Sequence, residues 1–390
     1  MNNPRFRLLS LLSEACELEH GLACSYLYAA FSLKQDLEDG ITWQEQQKTR
    51  LWASQVLEVA AEEMFHLAQV WNLLIAIGGT PWYQRPAFPQ SPRYYPLHLP
   101  LETRPFGLSV IERFIEFERP EPEAQALETL DDDAFHTVGE LYRHIETLVH
   151  EGGPELFIGD PARQVGRDLL DFPNLIAIRD EASALAAIET IIEQGEGNPG
   201  DRNDGHDSHF QIFQAVRRSL LEEMVAADRD GRSFLPAFPC IENPTASSDL
   251  FAAPPEANLI GDAHTRELAD TFDSIYVFML RLLGWVFDAD VAAGKQRAQF
   301  AGAALRMMTT VLKPLGEALA SLPAGPQYEN ATAGAPFGVS RTVALPWSPD
   351  LSRRIANEKQ SQLSSRLAEL AKGGPAKVRL AATHLGEISL

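Results

Sequence analysis

The sequence predicts an all-α chain built on a four-helix bundle, and three observations carry that reading. Two long stretches, from about Arg5 to Lys34 and from Thr42 to Gly79, repeat apolar residues at alternating steps of four and three, which is the spacing of one helix face. A second pair, about Ala184 to Glu196 and from near His206 onward, repeats the arrangement beyond a long proline-rich interval. In both pairs the apolar seam is interrupted only by carboxylates and imidazoles at matching heights.

The first seam is Leu8, Leu12, Ala15, Glu19, Leu22, Tyr26, Ala29 and Leu33, with Glu19 its one acidic member. A break follows at Asp39–Gly40, and Thr42-x-x-Glu45 has the form of a capping box. The second seam runs Trp52, Val56, Val59, Glu63, His66, Val70, Leu73 and Ile77, and Gly78–Gly79 with Pro81 stops the helix. Glu63 and His66 form an E-x-x-H pair one turn apart on one face. Residue 41, midway between Glu19 and Glu63, falls in the turn, so the two carboxylates face each other across an antiparallel hairpin. A buried carboxylate without a partner costs several kcal/mol, and a metal ion is the simplest compensation.

Pro81 to Pro105 is dense in proline and aromatics and reads as an ordered loop over the bundle, either a pocket wall or padding. Leu108–Glu118 reads as helix, and Glu121–Asp133 as an exposed acidic stretch. Thr137–Glu151 is a further helix in which Glu140 is better explained as the capping partner of Thr137 than as a ligand. Residues 152–181 read as loop with short pieces of strand or turn, after which Asp180 or Ser183 caps the next helix.

That helix ends in Glu193-Gln194-Gly195-Glu196, and the turn GNPGDRNDG leads to a seam of His206, His209, Phe213, Val216 and Leu220. Pairing by height sets Glu193 opposite His209 and Glu196 opposite His206, whereas helical phase favours Glu189 and Glu196. The candidate metal ligands are therefore Glu19, Glu63, His66, Glu193, Glu196, His206 and His209, and no residue stands out as catalytic.

One Glu from each of two helices and a Glu-x-x-His from each of two others is the layout of ferritin-like carboxylate bundles, with His206 here where a second Glu belongs. That exchange removes a charge and a bridging oxygen, so one ion or two both fit. The segments ELEHGLACSYLYAAFSLK, VAAEEMFHLAQVWNLLIAIGGTP, YPLHLP, TVGELYRHI, EQGEG and DSHFQIFQ, in this order, resemble the ferritin-like family named for iminophenyl-pyruvate dimer synthase, which is associated with violacein biosynthesis. The resemblance implies a ferritin-like bundle, an iron site and oxidative chemistry on an aromatic amino-acid-derived imine.

The remaining chain adds an irregular proline-rich stretch over 228–262, amphipathic helices at about Asp262–Asp288 and Lys295–Leu322, and a more polar helix at Leu351–Lys372. We read residues 1–228 as the metal-binding bundle with an insert at 80–181, and 229–390 as a helical extension packed on it. A formal charge of −21 speaks against nucleic acid and anionic membrane as partners. No run is apolar enough to span a bilayer, and Glu14, Glu17 and Glu19 interrupt any signal-peptide core. The cysteines Cys16, Cys24 and Cys240 form no metal or disulfide pattern and fit a reducing cytoplasm. The expected function is a non-haem oxidase or oxygenase using iron, or manganese, with dioxygen and a small aromatic substrate. The alternatives are a non-catalytic metal-handling protein and a metal-free binding module; homo-oligomerisation stays open.

Overall fold

The computed structural model describes residues 4–90, 99–120, 135, 137–196, 207–249, 254–288, 294–339 and 348–390. At its centre is the predicted hairpin of α1 (Pro4–Ser32) and α2 (Trp43–Ala76), the most extensively packed pair among the described residues. Thr42 and Glu45 close the capping box that starts α2, each side chain bonded to the other's backbone N–H. Neither helix is amphipathic in its middle. Every residue from Leu18 to Tyr26, and every one from Phe65 to Ile77, is buried. A helix buried all round needs neighbours on both sides, and the rest of the chain supplies them.

On one side lie α3 (Leu108–Phe117), α4 (Val138–Gly152), α5 (Glu181–Gly195) and α6 (His209–Arg229). Thr137 accepts from Glu140 N at 3.0 Å, so Glu140 belongs to the start of α4 as the capping pattern predicts. Asp180 and Ser183 form a reciprocal box at the start of α5. Between α4 and α5 the chain runs through 3-10 turns at Gly153–Leu156 and Pro161–Arg163 rather than strands. Buried amides on α2 replace a ladder there: Asn72 exchanges hydrogen bonds with the backbone of Val165, and Gln69 with that of Ile176.

On the other side lie α7 (Ala263–Val286), α8 (Lys295–Arg306), a π-helical segment Met307–Leu312 and α9 (Lys313–Ser321). The single helix expected over 295–322 is thus divided by the π turn. Outside these pack α10 (Pro349–Leu370) and α11 (Ala376–Glu387), the latter beyond the last helix expected from the sequence. A two-residue parallel ladder, β1 (Pro244–Thr245) with β2 (Asn258–Leu259), ties down the irregular stretch before α7. Trp71 of α2 meets Phe287 edge-on at 4.9 Å, and buried apolar residues of both sides form one continuous core. Among the described residues no helix is long and apolar enough to cross a membrane.

Candidate metal centre

Five buried side chains meet where α1, α2, the end of α3 and the start of α6 converge. They form two groups, Glu19–Glu63–His66 and Glu63–Glu118–His209, in each of which one potential ligand atom per residue lies within 4.8 Å of the others. Glu63 belongs to both. Its Oε2 is 3.2 Å from His66 Nδ1, and its Oε1 is 3.0 Å from His209 Nδ1. Glu19 Oε2 stands 3.4 Å from His66 Nδ1, and Glu118 Oε2 stands 3.5 Å from His209 Nδ1. The two halves therefore have the same composition: one private carboxylate, one imidazole and one oxygen of a shared carboxylate.

Each half is also held from behind in the same way. Tyr142 of α4 donates its hydroxyl hydrogen to Glu19 Oε1, and Tyr26 of α1 donates to Glu118 Oε1. His66 Nε2 is 3.0 Å from Gln194 Oε1, and His209 Nε2 is 2.8 Å from Glu62 Oε2. Amide and carboxylate oxygens accept, so both Nε2 atoms carry hydrogen and both Nδ1 atoms face the centre. An aromatic group of Tyr26, Phe114 and Phe213, with centroids 4.5 to 5.2 Å apart, walls the site on the α1–α3–α6 side.

Three buried carboxylates at one point demand positive charge. Burial, then the Glu63 charge, pushes the Glu19 carboxyl up to about 8. Burial by itself would lower His66; the Glu19 and Glu63 carboxylates beside it outweigh that and hold the imidazole up to about 10. His209 is raised well above its usual value against the same burial, chiefly by the Glu63 charge. The imidazoles thus carry the positive charge the carboxylates require. Even so, Glu19 Oε2 and His209 Nδ1 are buried and make no hydrogen bond. Carboxylate oxygen and imidazole nitrogen are donors that suit iron, manganese and zinc, and these residues fit such an ion.

Of the residues proposed from sequence, Glu19, Glu63, His66 and His209 are brought together here. Glu193 and Glu196 are not. Glu193 is exposed on α5, as is Glu189. Glu196 is buried but turns to the start of α4, where its Oε1 accepts from Gly139 N at 2.9 Å. Backbone N–H groups at a helix start attract a carboxylate as a cation does, and Glu196 answers that need instead. His206 lies outside the described residues. The candidate missed from sequence is Glu118, which follows the last residue of α3. Its signal was a seam of Ile111, Phe114 and Glu118 at helical spacing, obscured by the acidic run beyond it. Gln194, adjacent to the Glu193 chosen by height, reaches the site only through His66.

Inward-turned carboxylates and imidazoles inside a helical bundle define the carboxylate-bundle class of fold. A family model described as Ferritin-like matches residues 12–218. The chain belongs to the ferritin-like family. It is 29% identical over 390 aligned residues to the dichlorochromopyrrolate synthase of Lentzea aerocolonigenes, covering 90% of this chain and 38% of that protein. It is 26% identical over 357 residues to the 2-imino-3-(indol-3-yl)propanoate dimerase of Chromobacterium violaceum, covering 85% and 34%. The chain thus spans little more than a third of the length of either relative. A solved ferritin-like protein from Caulobacter vibrioides aligns with a TM-score of 0.49 at 20% identity over 77% of this chain and 94% of that one.

Proposed function

We propose that Glu19, Glu63, His66, Glu118 and His209 hold two iron ions, and that the protein oxidises a small aromatic amino-acid-derived imine at the expense of dioxygen. The observation that supports this reading most directly is the division of Glu63, one oxygen to each half of a site with matched donors. Iron bound there would supply the one-electron steps by which dioxygen is coupled to an organic substrate.

The chain's own residues have defined parts in this reading. Glu63 links the two positions, and Glu19 and Glu118 each close one of them. Tyr142 and Tyr26 fix which carboxylate oxygen faces inward, while Gln194 and Glu62 fix the imidazole rings. The surrounding apolar core excludes water. The activities for which the two relatives are named point to indole-bearing imines as the substrate class, and secondary metabolism as the setting. Residues 229–390 act in this reading as an extension that completes the burial of α1 and α2. The three buried free cysteines are in keeping with a reducing cytoplasm.

Metal content of the purified protein by mass spectrometry, followed by oxygen uptake, tests the reading. L-tryptophan with an amino-acid oxidase generates the imine in situ, and the oxidase alone sets the baseline. Two equivalents of iron and additional, imine-dependent oxygen uptake with a coupled product by mass spectrometry are expected. Failure to bind iron or manganese on addition, or oxygen uptake indifferent to the imine, overturns it.

A further inference from the structure

Glu19 and His20 are neighbours on α1 that face different compartments. Glu19 enters the ligand cluster, whereas His20 lines a cavity of about 330 Å³ between the α1–α2 hairpin and α7–α9. Its walls are apolar, with Leu27, Trp71, Met279, Leu283, Phe287 and Leu312 among them. At the rim stand the half-exposed Leu57 and Ala61, with Met308 and Thr309 from the π-helical turn. Such turns are rare and are found disproportionately at functional sites.

Three polar side chains, His20, Cys24 and Tyr276, stand among this apolar lining. Tyr276 hydrogen-bonds His20 through its hydroxyl, which also lies 3.1 Å from Cys24 Sγ. Arg85, itself 7% exposed, stands beside Cys24 and Tyr276. It donates to Pro86 O at 2.9 Å and to the carbonyl of Phe337, another cavity residue, with its guanidinium 4.1 Å above the Phe88 ring. Its Nε makes no hydrogen bond, and among the described residues no carboxylate oxygen comes within 4.0 Å of it. Asp273, the acid on which its charge acts, accepts from Gly338 N at 2.7 Å, and burial pushes its carboxyl well above the usual range. A buried guanidinium with no carboxylate in direct contact is costly, and its field favours negative charge at the closed end of this cavity.

We propose that this cavity binds a small organic acid with an aromatic body. The carboxylate sits at the Tyr276–His20–Cys24 end under the field of Arg85, and the ring lies among Trp71, Met279 and Phe287. The volume suits one or two rings. This site is separate from the metal centre and does not depend on that centre's holding iron.

Calorimetric titration of the purified full-length chain, after chelation and with metal content checked, tests it with indole-3-propionate, its methyl ester and tryptamine. The acid binds, the ester binds about tenfold more weakly, and the amine does not bind. Tyr276→Phe weakens the acid about tenfold and leaves the ester unchanged. Ala68→Phe, which fills the cavity, abolishes binding of both while the thermal transition persists; Leu283→Phe gives the same reading should that variant not fold. Equal binding of the three compounds, no binding of the acid to folded protein, acid affinity unchanged in Tyr276→Phe, or acid binding that survives the filled cavity overturns the proposal. None of these results changes the iron stoichiometry, so the two readings fail separately.

Discussion

Tyr26 and Glu118 are joined by a hydrogen bond from the phenol to Oε1 of the carboxylate. Tyr26 is two helical turns beyond Glu19 on the same seam, so α1 both provides one private carboxylate and orients the other. This coupling explains why the two halves of the centre are alike although their helices are not.

Glu118→Ala should remove one half only. Metal analysis of that variant should find about half the wild-type content, while Glu63→Ala, which deprives both halves, should bind little or none. Equal losses in the two variants would show that the halves are not distinct positions. Circular dichroism checks that both variants fold.

Tyr142→Phe should cost about 1 kcal/mol of stability, the value of one hydrogen bond, yet weaken metal binding about 10- to 100-fold because Glu19 loses its orienting partner. Chelator competition measures the affinity, and urea unfolding of the metal-free protein measures the stability. A change in stability with unchanged affinity would reduce Tyr142 to a packing role.

Gly139→Ala tests the contact that replaced the expected ligand role of Glu196. A Cβ at residue 139 would come 2.4 Å from Glu196 Oε1, so the carboxylate must swing away and lose its bond to Gly139 N. Urea unfolding should show a loss of about 1–3 kcal/mol. Tyr142 follows three residues later, so metal affinity should fall in the same variant.

Glu317 couples α9 to α11. Its oxygens lie 2.8 Å from Lys313 Nζ and 2.9 Å from Lys377 Nζ. Burial by itself would raise this carboxyl; the Lys377 charge and the Lys313 hydrogen bond outweigh it and hold it below the usual value. A depressed carboxylate stabilises the fold above its unfolded pKa, and that contribution is lost as pH falls through the folded value. Glu317→Gln should therefore be less stable than wild type by about 1–3 kcal/mol at neutral pH, with the gap closing below the carboxylate range. Thermal unfolding across pH would show it, and a constant gap would contradict it.

How far the site could be read from sequence depended on where each residue sat in its helix. Glu19, Glu63, His66 and His209 were legible because each interrupts a seam whose other members are apolar and buried. Glu118 was not, because it follows α3 and leads into an acidic stretch that resembles a solvated face. Glu193 was drawn in by a height argument that treats α5 and α6 as a tight hairpin, and Glu196 by height and helical phase together. Glu193 instead faces outward, and the N-terminus of α4 takes the Glu196 carboxylate. The all-α class and the start of α2 followed from local rules; the π turn depends on tertiary packing that no local rule contains.

The encirclement of α1 has a consequence for how the molecule forms. Phe31 near its end packs so tightly on Gly316 of α9 that a Cβ there would meet the ring at 2.3 Å. α1 thus keeps a greasy flank uncovered until α9, far later in the chain, has been made. Nascent chains halted before that point should be captured by chaperones and cut readily by proteases, and a release of both on passing it would mark the moment at which the whole chain locks together.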